Sequence, residues 1–235
     1  MSAPRLQHAH GRRGLVPATV VAVGALTALS VSAARDGAFE HGRDPVDLLA
    51  SADPAVRLRG AERLVAEGTE AWPDDRREVF LLAVAPMAVS SGAEHCLPPS
   101  VTIAQAILES GWGSSDKAKK LRNLFGKKAR GDEGVASKTW EVVDGVQVGT
   151  VARFESYDSW AHSLADHDAH LATDPLYARA REQRDDAGAF VRALAPTYAS
   201  DPAYASRIVE IIDMYDLDAF DGPAREAAES RGRCG

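Results

Sequence analysis

Apolar positions at helical spacing run through most of the chain, and the stretch that organises them is residues 98–113, Pro-Pro-Ser-Val-Thr-Ile-Ala-Gln-Ala-Ile-Leu-Glu-Ser-Gly-Trp-Gly. Val101, Ala104, Ile107 and Leu108 share one helical face. Pro98 and Pro99 block a helix arriving from upstream, and Ser100 is the expected N-cap of the new one. Gly111 and Gly113 end it, so Glu109 is predicted in its last turn. Upstream, Trp72-Pro73-Asp74 opens a helix that buries Val79, Phe80, Leu82, Ala83 and Met87 and kinks at Pro86. Downstream, a helix from Ser156 turns Tyr157, Trp160, Leu164 and Leu171 inward, with Asp166, His167, Asp168 and His170 on its polar side. One start signal then occurs twice, at Thr173-Asp174-Pro175 and at Ser200-Asp201-Pro202. The final helix, through Ile208, Val209, Ile211, Ile212 and Tyr215, is apolar enough for a central place in the core. Past Phe220, Gly222-Pro223 and an Ala/Arg/Glu-rich run predict a flexible tail over 221–235.

Only one segment reads as β-structure. From Lys138 to Phe154, two β-branched runs flank Asp144-Gly145, the strongest short-range hairpin signal. Strand alternation places Glu141 on the opposite side from Trp140 and Val142. Residues 129–137 have loop composition. The fold class is therefore α+β, mostly α, with one hairpin, over a main domain of residues 73–220. Residues 35–72 carry a narrow stripe of Leu58, Ala61, Leu64 and Val65 and predict a helical extension or spacer.

The first 34 residues have another character. Arg5, Arg12 and Arg13 are their only charged side chains, and Leu15 to Ala34 is uncharged. Val31-Ser32-Ala33 and Ser32-Ala33-Ala34 both suit signal cleavage, while residues 15–34 are also long enough for an uncleaved membrane anchor. The bulk of the protein is thus expected outside the cytoplasm, secreted or held at the cell envelope. Without this segment, 24 Lys and Arg stand against 34 Asp and Glu. That balance argues against a nucleic-acid partner and supplies no polybasic patch. Cys96 and Cys234 can pair in an oxidising compartment; a loose tail with a free thiol is the alternative. Their number and spacing do not suggest zinc. His167 and His170 lie one turn apart, but Asp–His pairs on a solvated helix are commonplace, so no metal or cofactor is expected.

Candidate chemistry centres on Glu109. A carboxylate at the negative end of a helix dipole, beside the apolar surface of Trp112, is driven toward its protonated form, as a general acid requires. An ordinary exposed glutamate at a helix end is the plain alternative. Glu141 on the hairpin is the best second carboxylate, and two carboxyl groups flanking a cleft are the general design for cutting glycosidic bonds.

Five blocks then resemble, in order, the signature of bacterial peptidoglycan β-N-acetylglucosaminidases of glycoside hydrolase family 73, the flagellar-rod hydrolase and autolysin type. They are Ser100–Gly113; Asn123-Leu124-Phe125-Gly126 with a following lysine; the hairpin arm Thr139-x-Glu141; Phe154-x-x-Tyr157-Asp158-Ser159 with Asp166-His167; and Tyr198-Ala199-Ser200-Asp201-Pro202-x-Tyr204-Ala205. The resemblance implies a lysozyme-like helical domain whose hairpin flanks the active-site groove. It also implies endo-hydrolysis of the β-1,4 bond after N-acetylglucosamine in peptidoglycan glycan strands, by a monomer. On this resemblance Glu109 matches the general acid, Glu141 the second acidic residue and Tyr198 a supporting cleft tyrosine. Trp112, Asn123, Phe125 and Tyr204 match substrate-binding positions; for Trp112 a core aromatic bracing the turn is an equal reading. Lys127 replaces a small apolar residue and Thr197 a glycine, and Glu133 is the fallback for Glu141. Two rival readings are a lytic transglycosylase on the same fold, which needs only the acid, and a non-catalytic cell-wall glycan-binding protein.

Overall fold

A computed structural model of the chain describes residues 76–143 and 146–234; residues 76, 140–143, 146 and 147 are described by their backbone alone. The expected leader or anchor over 1–34, the helical spacer over 35–72 and the Asp144-Gly145 turn lie outside these residues. Among the described residues no helix is long and apolar enough to cross a membrane.

Helix α2 (Pro99–Ser110) is the axis of the domain. It packs against α1 (Arg76–His95), α6 (Ala187–Tyr198), α7 (Tyr204–Met214) and α8 (Asp221–Ser230). Periodicity predicted one apolar face, yet every residue from Pro99 to Ile107 is buried. A helix enclosed on all sides has no solvent face to keep polar. Ser100 is not its cap either. Pro98 holds that position and Pro99 opens the helix, while the Ser100 N–H and hydroxyl donate to the Asp221 carboxylate at 2.9 and 2.8 Å. A carboxylate borrowed from the far end of the chain thus satisfies the free donors of the first turn and meets the positive end of the dipole.

That contact also corrects the expectation of a flexible tail over 221–235. Ala, Arg and Glu are strong helix formers, and α8 buries Ala224 and Ala228 while packing on α1. A Cys96–Cys234 disulfide, with Cα atoms 5.4 Å apart, closes the segment onto the turn before α2.

Between α2 and the hairpin, Ser115 caps the short α3 (Asp116–Lys120). Strands β1 (Val135–Val143) and β2 (Val146–Phe154) pair antiparallel, with Val135 opposite Phe154 and Glu141 opposite Val148. β1 starts three residues earlier than Lys138, inside the stretch with loop composition, because pairing with β2 supplies its backbone partners. The hairpin is held at its base. Phe154 is buried beneath the Lys117 ammonium, 4.4 Å from its ring centroid, and the Ala129 N–H donates to the Arg153 carbonyl.

Helix α4 (Trp160–Thr173) begins after Ser159, whose hydroxyl accepts the His162 N–H, rather than at Ser156. Tyr157 is buried in the approach to it. The polar-side assignment also fails for two residues, since His167 and Asp168 are 5% and 0% exposed. Short α5 (Ala178–Arg181) follows a turn capped by Asp174 and packs on α6.

Candidate active site

All of α2 before its last turn is enclosed, so Glu109 is where the central helix reaches solvent. The exit behind it is tightly fixed. Gly111, Trp112 and Gly113 all adopt positive φ (57°, 60° and 71°), and the Gly113 N–H donates to the Ser110 hydroxyl at 2.8 Å. A Cβ at position 113 would collide with the Trp160 ring and come within 3.2 Å of Phe80, so only glycine fits there.

Three other elements bring polar groups to this exit. Tyr198 ends α6 and Tyr204 begins α7; the turn between them is set by Asp201, whose carboxylate accepts the Ala203 N–H at 2.9 Å. The two tyrosine rings lie 5.4 Å apart. His167 enters from the middle of α4, stacked on Phe125 with ring centroids 3.7 Å apart.

These groups form two hydrogen-bonded pieces that meet at the tyrosine pair. The Tyr204 hydroxyl accepts the Gln105 amide N–H at 3.0 Å, and its ring lies against that of Tyr198. Tyr198 Oη lies 3.2 Å from His167 Nε2. His167 Nδ1 lies 3.1 Å from Asp168 Oδ1, which also accepts the Thr102 hydroxyl proton at 2.9 Å. Thr102, Gln105 and Glu109 all come from α2, so the central helix contributes a partner to each piece as well as the exposed carboxylate.

Electrostatics follow from this packing. Burial raises the Glu109 carboxyl above its ordinary 4.5, opposed by the nearby Tyr204 hydroxyl and, less, by His167. Part of the Glu109 surface remains open to water, yet protein crowds the carboxylate and desolvation prevails. Burial likewise raises Tyr198 and Tyr204, so both remain neutral phenols that can donate and accept.

The remaining sequence-predicted residues fall in three places. Phe125 belongs to the cluster through its His167 stack. Trp112 turns toward the core, meeting Phe80 and Tyr215 edge-on with the Arg77 guanidinium 5.5 Å above its ring. Asn123, 1% exposed, braces the loop: its amide donates to the Lys127 and Glu155 carbonyls at 2.9 Å, and its carbonyl accepts the Lys127 N–H at 3.0 Å. Lys127 itself pairs with Asp166, which also accepts the Tyr157 hydroxyl. Glu141 has its backbone in β1, on the sheet face shared with Thr139, Thr150 and Phe154; its side chain is outside the described set. Glu133 is exposed, with its backbone carbonyl accepting from Arg153. Among the described residues no group of three or more His, Cys, Asp or Glu could hold a metal ion.

Sequence reasoning missed the roles of Thr102, Gln105, His167 and Asp168. The signal was present, because Trp160, Leu164, Asp168 and Leu171 share one helical stripe, and a carboxylate on an apolar stripe needs a partner.

Known proteins share this arrangement of the chain. The exo-glucosaminidase LytG of Bacillus subtilis is 34% identical over 154 residues, 63% of this chain and 54% of LytG. A probable N-acetylmuramidase of Lactococcus lactis is 36% identical over 163 residues, 66% of this chain and 37% of that protein. The chain thus spans about half, or less, of the length of these curated relatives. The catalytic domain of the autolysin Auto from Listeria monocytogenes superposes with a TM-score of 0.57 at 32% identity, covering 68% of this chain and 95% of that domain. A family model described as mannosyl-glycoprotein endo-β-N-acetylglucosaminidase matches residues 85–217, which take in Glu109, the hairpin, His167 and both tyrosines. On that match the chain belongs to the glucosaminidase family of glycoside hydrolases, with the lysozyme-like helical fold of the solved domains it resembles.

Proposed function

We propose that this protein is an exported peptidoglycan hydrolase that cleaves the β-1,4 bond after N-acetylglucosamine. The observation that carries the reading is Glu109: a carboxyl group at the open end of a buried helix, raised by desolvation and set beside a neutral tyrosine. Such a group is protonated at a pH where ordinary glutamates are not, and it can donate to the leaving glycosidic oxygen. As positive charge develops on the sugar ring, Glu141, brought in by the hairpin, stabilises it or activates water. Tyr198 and Tyr204 hold the acid in position, and Phe125 adds apolar surface for the sugar. Asn123 and Trp112 contribute through the turns they brace. The relatives' descriptions, an exo-glucosaminidase and a probable N-acetylmuramidase, support glycan-strand cleavage but point to different bonds. We assign the bond after N-acetylglucosamine on the family match. The uncharged run over residues 15–34 supports export, as a cleaved leader or an anchor.

Digestion of purified peptidoglycan by wild type and by Glu109→Gln, followed by mass spectrometry of the fragments, tests this. Fragments with reducing N-acetylglucosamine ends from wild type, falling about 10²–10⁴-fold in the variant, are expected. Anhydro ends would establish a lytic transglycosylase, and reducing N-acetylmuramic acid ends the other bond. Equal release by both proteins would remove Glu109 from the chemistry, and no release by either would leave a glycan-binding protein.

A further inference from the structure

The overall acidity of the chain conceals one stretch of opposite sign. Seven of its 27 Lys and Arg fall within residues 116–130, together with only one of its 34 Asp and Glu, Asp116. The whole-chain balance predicted no basic patch, yet the fold gathers this stretch, α3 and the loop after it, against the base of the hairpin.

Backbone pairing fixes where its charges lie. The Glu155 N–H donates to the Lys127 carbonyl and the Ala129 N–H to the Arg153 carbonyl, both at 3.0 Å, so residues 127–129 run antiparallel beside the end of β2. Lys128 stands opposite Phe154 in that pairing, and residues directly opposite share a sheet face. It is the face on which β1 carries Glu141. Lys117 reaches the same face from α3. Its ammonium lies 4.4 Å from the Phe154 ring centroid, and its stem passes 4.0 Å from where a Cβ on Gly126 would stand. Lys127 turns away from them to pair with Asp166. Lys120 and Arg130 are exposed and Lys119 is half-buried, so the strip is open to solvent. Within the stretch, Asp116 answers only Lys120, at 3.1 Å between two well-exposed groups, and such a pair is weak. The same loop carries Phe125, whose ring joins the cluster around Glu109 through its stack on His167.

A strand of N-acetylated sugars is uncharged. The charge of peptidoglycan sits on its peptide stems, whose carboxylates hang from alternate sugars. Cations placed along the edge of a sugar-cutting site complement those stems rather than the sugars. We propose that residues 117–130 form a subsite that holds stem carboxylates while Glu109 acts on the glycan backbone, so that the protein prefers strands bearing stems to bare glycan. The inference rests on the proposed hydrolase reading and names the form of the substrate. A phosphate-rich wall polymer carries charge of the same sign, but nothing brings it to this edge, whereas stems arrive with every strand that enters. Single exposed ion pairs contribute little, so the effect is collective, and it acts on encounter and binding rather than on the chemical step.

The test uses the full chain and soluble, uncross-linked strands in three forms: with stems, stripped of stems by an amidase, and with stems plus attached phosphate-rich polymer. For the combined variant Lys119→Gln, Lys120→Gln and Arg130→Gln, KM on stem-bearing strands should rise about 10-fold with kcat within about 2-fold. On stripped strands neither constant should change. Salt at about 0.5 M should raise the wild-type KM toward that of the variant, and Lys120→Arg should behave as wild type. Fluorescence anisotropy of labelled strands with Glu109→Gln gives a reading independent of turnover, in which stem-bearing strands should bind more tightly than stripped ones and lose that advantage in salt. Wild type that releases no fragments from any strand would sink the hydrolase reading, while the anisotropy would still judge the strip. Equal affinity for stem-bearing and stripped strands would overturn the subsite. So would a combined variant with unchanged KM, or a loss confined to strands carrying the phosphate-rich polymer, which would make that polymer the partner.

Discussion

Asn123 separates a residue that touches substrate from one that holds the loop where substrate contacts reside. Its side chain makes three hydrogen bonds, two to the carbonyls of Lys127 and Glu155 and one from the Lys127 N–H. Together they close the loop between α3 and the hairpin and tie it to the exit of β2. Asn123→Ala removes all three and leaves two carbonyls and one N–H unpaired. At about 1 kcal/mol per bond the loss is roughly 3 kcal/mol, with water able to offset some of it because these groups are only part-buried. With a urea m-value of about 2 kcal/mol/M, the midpoint should fall by about 1–1.5 M. Asn123→Asp keeps the acceptor for Lys127 but sets a charge against two carbonyl oxygens, so it should be no less destabilising. Urea unfolding followed by circular dichroism measures the shift, and muropeptide release per folded molecule measures what remains of activity. An Asn123→Ala protein with an unchanged midpoint but weakened glycan binding would refute the argument and make Asn123 a substrate contact.

Two more outcomes follow from the same structure. Glu109 has a folded-state carboxyl raised above its unfolded value of 4.5, so the folded protein holds that proton more tightly and loses stability as pH rises through the interval between the two values. Glu109→Gln should therefore melt higher than wild type near neutral pH, with the gap closing below about pH 4; calorimetry showing equal melting temperatures at both pH values would contradict the desolvation argument. The hydrolysis rate should fall on the alkaline side as Glu109 loses its proton. Reduction of Cys96–Cys234, whose cysteines lie 138 residues apart, should cost up to about 5 kcal/mol and lower the melting temperature by on the order of 10–20 °C. An unchanged melting temperature with dithiothreitol would show that α8 and the Asp221 cap hold the C-terminus without the bridge.

The local chemistry of the chain was legible in its sequence because it depends on near neighbours. The Pro98-Pro99 start, the Gly111 stop and the place of Glu109 between them follow from backbone sterics within a few residues, and so does the Asp144-Gly145 hairpin signal. What failed were inferences about which polar side faces water. Ser100 looked like its own helix cap, but its partner is Asp221, 121 residues away. The C-terminal segment looked like a fraying tail, yet it folds because α1 and Cys96 lie where it can dock. His167 and Asp168 looked like a solvated face, and they are buried because Tyr198 and Thr102 arrive from other helices to satisfy them. Helical periodicity names the stripe a side chain occupies. Only tertiary packing decides whether that stripe meets water or a partner, since burying a polar group is affordable where another element brings its hydrogen bond.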